Sequence, residues 1–454
     1  MQSLTFLVAG ACLLLVWTGS ASAIPAFSRE HNTECTTCHT IYPELNEYGE
    51  AFLKNGFVWA KRKKDEKEVK SVAPKPELKG EGDPALLDKL KESAIVPNDQ
   101  QEAPAAEPPR KNEPLWLAGL PEKLPLSLAA TLNVAYNDHP VDGNRLDLST
   151  RALSLLAGGV FRDKVGFFAK YDLYTQGVFD PAVSNTPSNN NPDIEEVYFV
   201  WRKALSSPVN LKIGRFRPKL SLWKKDNKTT VSDFATTSYR VGSSLFAIES
   251  TEDALEANAV LGSRLFVAGG IVDRDKQNTK EGYGHVSFKI GGSDFTGREP
   301  DVDLEKESVW DYLSLTFGAF GYAGRNSNSS ASSQRNNFYR AGVELDAIYK
   351  NLRLRFAGVK GRDNNPDFAS HIKTDSYVFA AQAEYMFEVN LLGLFRYEYQ
   401  DVPGGFGASS DVTRRYIPAI AYAPIENTKI TLEYQHIVGN ETIKQALLGL
   451  RYAF

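Results

Sequence analysis

Cysteine, methionine and histidine are scarce in this chain: 3, 2 and 6 of 454 residues. Cys12 lies in an apolar N-terminal run, while Cys35 and Cys38 stand three positions apart. No cysteine is left for a disulfide framework, and no second Cys or His cluster completes a structural zinc site. Long apolar runs are missing too. Beyond residue 23 nothing approaches the ~20 apolar residues of a membrane-spanning helix. Charge of one sign is weak as well, since 52 Lys and Arg against 56 Asp and Glu give a formal net charge of −4. Nucleic acid is therefore not expected as a partner.

What is present begins with "LTFLVAGACLLLVW", closed by Ala21, Ser22 and Ala23. An apolar core ending in small residues reads as a signal peptide over residues 1–23, with removal after Ala23 expected. The leading "MQS" lacks the usual positive charge, and an uncleaved anchor is the alternative. Ala9 stands where a lipoprotein signal carries Leu, so Cys12 is expected to leave with the peptide.

Over residues 121–454 the dominant signal is alternation. Val165, Phe167, Ala169, Tyr171 and Leu173 form one apolar row, with Lys170, Asp172 and Tyr174 on the other face. The same holds for Ala341, Val343, Leu345, Ala347 and Tyr349 against Arg340, Glu344 and Asp346, and for Ile430, Leu432 and Tyr434 against Lys429, Thr431 and Glu433. Period-two patterning suits a strand between lipid and a wet lumen. A β-sandwich also alternates, so the connections decide. Short turns near residues 162–164, 205–208, 262–264, 350–351, 388–390 and 426–428 alternate with longer polar loops such as "RNSNSSASSQRNN". This rhythm predicts an all-β fold, an outer-membrane antiparallel β-barrel of about sixteen strands. The last segment, with Ala446, Leu448, Leu450, Tyr452 and Phe454 in one row, is similar to the assembly signal of such barrels.

Residues 24–59 read differently. Cys35, Cys38 and His39 form Cys-x-x-Cys-His, which attaches haem through two thioethers and offers the histidine to iron. A redox dithiol is the alternative. Pro43 is suited to open a helix, with Leu45, Tyr48 and Phe52 on one face and Asn55-Gly56 as its stop. About 35 residues are too few for a core of their own, so the haem or the barrel must supply apolar surface. A small N-terminal α-helical c-type haem module with one haem c is the expectation. Residues 60–120 are charged and Pro-containing, a linker whose ~55-residue flexible part reaches roughly 40 Å. That length lets the module enter the barrel or hang in the periplasm.

Pro25, Phe27, Arg29, Cys35, Cys38, His39, Pro43, Leu45, Gly49, Phe52, Asn55 and Gly56 together resemble the N-terminus of fused outer-membrane monohaem cytochrome–porins. The best known of these are bacterial iron oxidases, and related proteins serve extracellular electron transfer in metal reducers. The resemblance implies electron transfer across the bacterial outer membrane, between an extracellular metal species such as Fe(II) and periplasmic c-type cytochromes. It leaves the direction open, so that an iron-oxidising and a metal-reducing role are both compatible with it. The alternatives are a porin for small, anionic solutes with an accessory haem module, and a barrel that sheathes a separate multihaem cytochrome.

Three further features bear on these readings. The break Ile213–Ser244, with Arg215, Arg217, Lys219, Lys224, Lys225 and Lys228, falls where porins fold a loop inward; it reads either as an anion-favouring constriction or as a solvated loop. The connection with Asp294, Glu299, Asp301, Asp303, Glu305, Glu307 and Asp311 offers a docking surface for a basic periplasmic cytochrome, or is simply solvated or binds calcium. For the distal position on iron, His31 and Met386 are the candidates. His31 precedes His39 by eight residues, while Met386 is expected on the lumen face beside Gln382 and Glu384. Methionine there would raise the potential, and water or another side chain remains a third possibility.

Overall fold

Two-residue alternation gives each strand one apolar and one polar face, and closing the sheet turns these into an outer wall and a lumen. The computed structural model describes Phe27, His31 and residues 33–58, 126–138, 145–175, 192–218, 222–223, 227–247, 250–273, 280–300, 308–328, 331–368, 371–403, 412–425 and 427–453. The expected signal peptide and linker, Lys219, Lys224, Lys225, Asp301, Asp303, Glu305, Glu307 and Phe454 lie outside these residues. Two compact units divide the chain, Met1–Ala60 with Pro125–Phe454 in one and Lys61–Leu124 in the other. All that follows concerns the first unit.

Its N-terminal part contains a short 3-10 turn at Cys35–Thr37, β1 (His39–Ile41), β2 (Glu44–Leu45) and helix α1 (Glu47–Lys54). Then come β3 (Leu126–Asn137), β4 (Leu146–Phe161), β5 (Val165–Thr175), β6 (Asp193–Trp201) and β7 (Val209–Phe216). A small hairpin follows, β8 (Ser238–Val241) and β9 (Ser244–Ala247). The chain continues through β10 (Glu252–Leu261), β11 (Leu265–Asp273), β12 (Lys280–Gly291), β13 (Leu313–Asn328), β14 (Ala331–Tyr349) and β15 (Leu352–Asp363). It ends with β16 (Thr374–Glu388), β17 (Leu391–Asp401), β18 (Val412–Tyr422), β19 (Thr428–Val438) and β20 (Thr442–Ala453).

Strands β3–β7 and β10–β20 form one closed barrel of sixteen strands. Antiparallel pairing of β20 with β3 closes it, and β7 pairs with β10 across the excluded hairpin. Closure leaves no strand edge unpaired in the hydrocarbon, which a membrane-spanning sheet requires. The expected faces hold: Val343 and Leu432 are exposed on the outside, while Arg340, Glu344, Lys429 and Glu433 are buried within. At the short-turn end Phe161, Trp201, Trp310, Tyr385, Phe387 and Tyr422 are exposed, a girdle of the kind that sits at the membrane–water interface. These features make the barrel a bacterial outer-membrane one.

The break after β7 departs from a simple loop. From Leu222 to Ala247 its described residues fold into the lumen. Trp223 is fully buried and packs with Phe234, Ala357 and Ala380. Tyr239 and Phe246 join a cluster with Tyr283, Tyr322, Phe338, Val359 and Val378 of the wall. Of the two readings of this segment, the geometry is that of a constriction, and two of its described basic residues add no unpaired charge to the lumen. Arg215 pairs in register with Val197, a residue of the lipid-facing row, and so leaves the lumen. Lys228 is neutralised by Asp233 within the same segment.

Candidate functional site at the barrel mouth

The Cys-x-x-Cys-His segment lies inside the barrel at its short-turn end. Ile41 packs on Leu392, Leu394, Ala419 and Ala421 of the wall. Across the mouth, Phe57 stacks on Phe168 and Tyr198, with ring centroids 6.2 and 6.4 Å apart. Arg202, in the turn after β6, donates to the Asn55 carbonyl at 2.5 Å. Gly166 clears the way, because a Cβ there would stand 2.6 Å from the Gly56 carbonyl oxygen. The expectation left open whether the module plugs or hangs; residues 33–58 plug.

Charge fastens the plug. Glu44 is fully buried and pairs with Arg353 at 2.9 Å and with Arg355, while Thr229 of the inward segment donates to it. Burial alone would raise this carboxyl, but Arg355 and Arg353 hold it below its ordinary range. Glu47 meets Lys289 at 2.5 Å and accepts from Ser314 at 2.5 Å. Glu50 accepts from Asn227 at 3.0 Å. Sequence alone gave none of these partners, because each joins residues more than 170 positions apart.

Within the plug Asn46 does double duty. Its Oδ1 accepts from Gly49 N–H at 2.9 Å, capping α1, and its Nδ2 donates to the Thr36 and Thr37 carbonyls at 3.1 Å each. One side chain thus starts the helix and clamps the motif turn. The helix consequently begins after Asn46 rather than at Pro43, and Leu45 falls in β2 instead of on the helix face. Tyr42 and Pro43 form the tight link between β1 and β2. Gly49 is required on steric grounds, since a Cβ would lie 2.2 Å from the Cys38 carbonyl oxygen.

Cys35 and Cys38 bracket the turn without a disulfide between them, and Cys38 N–H closes it on the Cys35 carbonyl at 3.1 Å. Burial, with Cys35 adjacent, pushes the Cys38 thiol up to about 11. His39 follows, ring edge-to-face on Tyr42 at 5.3 Å. Burial lowers its pKa to about 4, against the opposing effect of backbone hydrogen bonding at Pro43 and Glu44. Its Nδ1 is buried without a hydrogen-bond partner. A neutral imidazole with a buried nitrogen that no protein group satisfies is suited to metal ligation. The residues fit a covalently attached haem: two thiols at the right spacing and one histidine with an open lone pair. Such a haem would be held by Cys35, Cys38 and His39 and would supply one-electron chemistry.

The two candidates for the distal position lie in different parts of the site. His31 sits edge-to-face on Phe52 at 5.6 Å, within the module's aromatic cluster. Met386 belongs to β16 and is in register with Leu392, on which Ile41 packs. It therefore shares the mouth with the motif, and Gln382 and Glu384 are buried in the lumen beside it as expected. The acidic connection is partly committed elsewhere. Asp294 accepts from Thr296 and Arg298 N–H, and Asp311 completes a capping box with Ser308.

Above the plug, beside the inward segment, a cavity of about 610 Å³ remains. Tyr42, Leu45, Leu53 and Phe57 form its module side, and Lys170, Lys212, Lys228, Lys429, Arg151 and Arg451 are among its wall.

No family model matches the chain, and no curated protein matches it. Among solved structures it is similar to an anion-selective porin from Comamonas acidovorans, at 12% identity, TM-score 0.52, covering 73% of this chain and 99% of that one. It is also similar to OmpF of Salmonella typhi in complex with daunomycin, at 11% identity, TM-score 0.49, covering 72% and 97%. A third is the channel DcaP of Acinetobacter baumannii, at 13% identity, TM-score 0.46, covering 72% and 96%. The first likeness establishes the porin fold of the barrel. None of the three is described as a cytochrome, and the segment that plugs this barrel is outside what a porin fold explains.

Proposed function

We propose that this protein is an outer-membrane barrel that carries one covalent haem in its periplasmic mouth and passes electrons between a metal species outside and a c-type cytochrome in the periplasm. The single observation that carries this reading is the seating of Cys35, Cys38 and His39 on a plug fastened through Glu44, Glu47 and Phe57 to the inner wall. A free porin has no need of a covalent redox group, whereas a haem held within the barrel is brought nearer the outside than one in the periplasm. Glu299, exposed at the short-turn end, belongs to the acidic connection that would face the periplasmic partner. Either His31 or Met386 completes the iron coordination in this reading.

The second reading, conduction of small anions, is favoured by the barrel's likeness to a porin described as anion-selective. One measurement separates them. In proteoliposomes, an impermeant ferric chelate outside should oxidise the reduced haem, seen in its absorbance, with little solute flux. Rapid anion flux with no covalent haem band, or a band unaffected by Cys35→Ala with Cys38→Ala, overturns electron transfer in favour of the porin.

A further inference from the structure

On the lumen face of the last two strands, Lys429 and Arg451 are direct cross-strand partners. Like charges so opposed destabilise a sheet unless an anion lies between or above them. Lys429 donates to the carbonyls of Lys228 and Thr229, at 2.8 and 2.9 Å. Arg451 has no such arrangement: its Nε is buried without a hydrogen-bond partner. Its guanidinium lies 5.6 Å from the Tyr42 ring centroid, at the floor of the cavity, and its charge is felt at His39. Glu44, the nearby carboxylate of the plug, is already engaged by Arg353 and Arg355.

We infer that Arg451 is a carboxylate-receiving site at the floor of the lumen cavity. A planar guanidinium takes a carboxylate through two parallel hydrogen bonds, and a buried Nε without a partner, set beside a second cation, suits that ligand. Two sources offer the same chemistry: a propionate of the haem attached at Cys35 and Cys38, which rests on the proposed function, or a carboxylate of a small solute entering from outside. In either case the anion lies by Tyr42, whose ring packs on His39, so the barrel wall adjusts the charge near the motif.

Citrate is the probe, with binding followed by calorimetry on the full chain. Comparison is between the haem-loaded protein and the Cys35→Ala/Cys38→Ala variant, each with Arg451, Arg451→Lys or Arg451→Gln. If a propionate fills the site, citrate binds only the haem-free variant, at least tenfold more weakly after Arg451→Gln, and the haem-loaded Arg451→Gln protein has a lower midpoint potential. If a free carboxylate fills it, haem-loaded protein binds citrate, again at least tenfold more weakly after Arg451→Gln. Arg451→Lys should keep the charge but lose part of the affinity, which serves if the glutamine variant does not fold. Unchanged citrate affinity together with an unchanged potential in both variants overturns the inference. Absence of covalent haem from the wild type would instead defeat the proposed function, and the citrate arm would still judge Arg451.

Discussion

Two segments fill the lumen, and they are fastened by different groups. The inward segment after β7 presents backbone N–H groups to wall carboxylates: Leu222 to Glu344 at 2.5 Å, Val231 to Glu433 at 2.7 Å and Ala235 to Glu398 at 3.1 Å. The N-terminal plug presents carboxylates to wall cations, Glu44 to Arg353 and Arg355 and Glu47 to Lys289. The inward segment is anchored in the barrel at both ends, by β7 and β10, and adds to its charge-assisted hydrogen bonds the buried Trp223 and Phe234. The plug is not bracketed by wall strands, and it uses ion pairs, which are strong only while both partners stay charged. The comparison teaches that one wall of mixed charge can hold one segment largely through its backbone groups and the other through its side-chain carboxylates.

Breaking Glu44 should have the largest effect. Glu44→Ala leaves Arg353 and Arg355 buried without their plug carboxylate, and removal of one partner from a buried pair costs roughly 3–5 kcal/mol. The expected outcome is release of the plug with an intact barrel, read as increased conductance in planar bilayers and as protease access at residues 33–58. Trp223→Ala should loosen the inward segment instead, at a cost of about 3–5 kcal/mol for a large buried aromatic side chain. Thermal unfolding should drop while the plug stays protected, and loss of both protections together would contradict separate fastening.

Acid should act on the plug of the wild type through Glu44. The folded pKa of Glu44 is depressed, so its contribution is fully present above the ordinary glutamate value, about 4.3. It is lost as pH falls through the folded value. Plug protection should therefore decline below about pH 4.3, and Glu44→Gln should remove that part of the pH dependence. A profile identical in the variant would exclude Glu44 as the titrating contact.

Smaller steric and capping effects sharpen the picture. Gly166→Ala drives a Cβ into the plug backbone at Gly56, and overpacking of this kind costs typically 1–3 kcal/mol. Gly282→Ala, with no atom within 4 Å of its Cβ, should leave plug protection unchanged. Asn46→Ala should cost about 1 kcal/mol as a lost helix cap, and hydrogen exchange should rise at the Gly49 amide and around Cys35–Thr37. Equal effects of the two glycine substitutions would show that the plug does not press on β5.

By itself the sequence determined the strands, their faces, the short turns and the Cys-x-x-Cys-His turn. Period-two alternation is local, and a one-residue shift would move charges such as Arg340 and Glu344 into lipid, so the pattern allows one register. The stop of α1 at Asn55-Gly56 was equally legible, because its signal lies within a few residues. The start was not: Pro43 carried the local signal, but Asn46 won because its side chain also binds Thr36 and Thr37. Tertiary structure alone decided that the module plugs the barrel, that Glu44 meets Arg353 and Arg355, and that Arg451 faces Lys429 beside His39. A linker of that length allows many positions for the module. Only closure of β20 on β3 brings residues hundreds of positions apart around one lumen, where buried charge must find a partner.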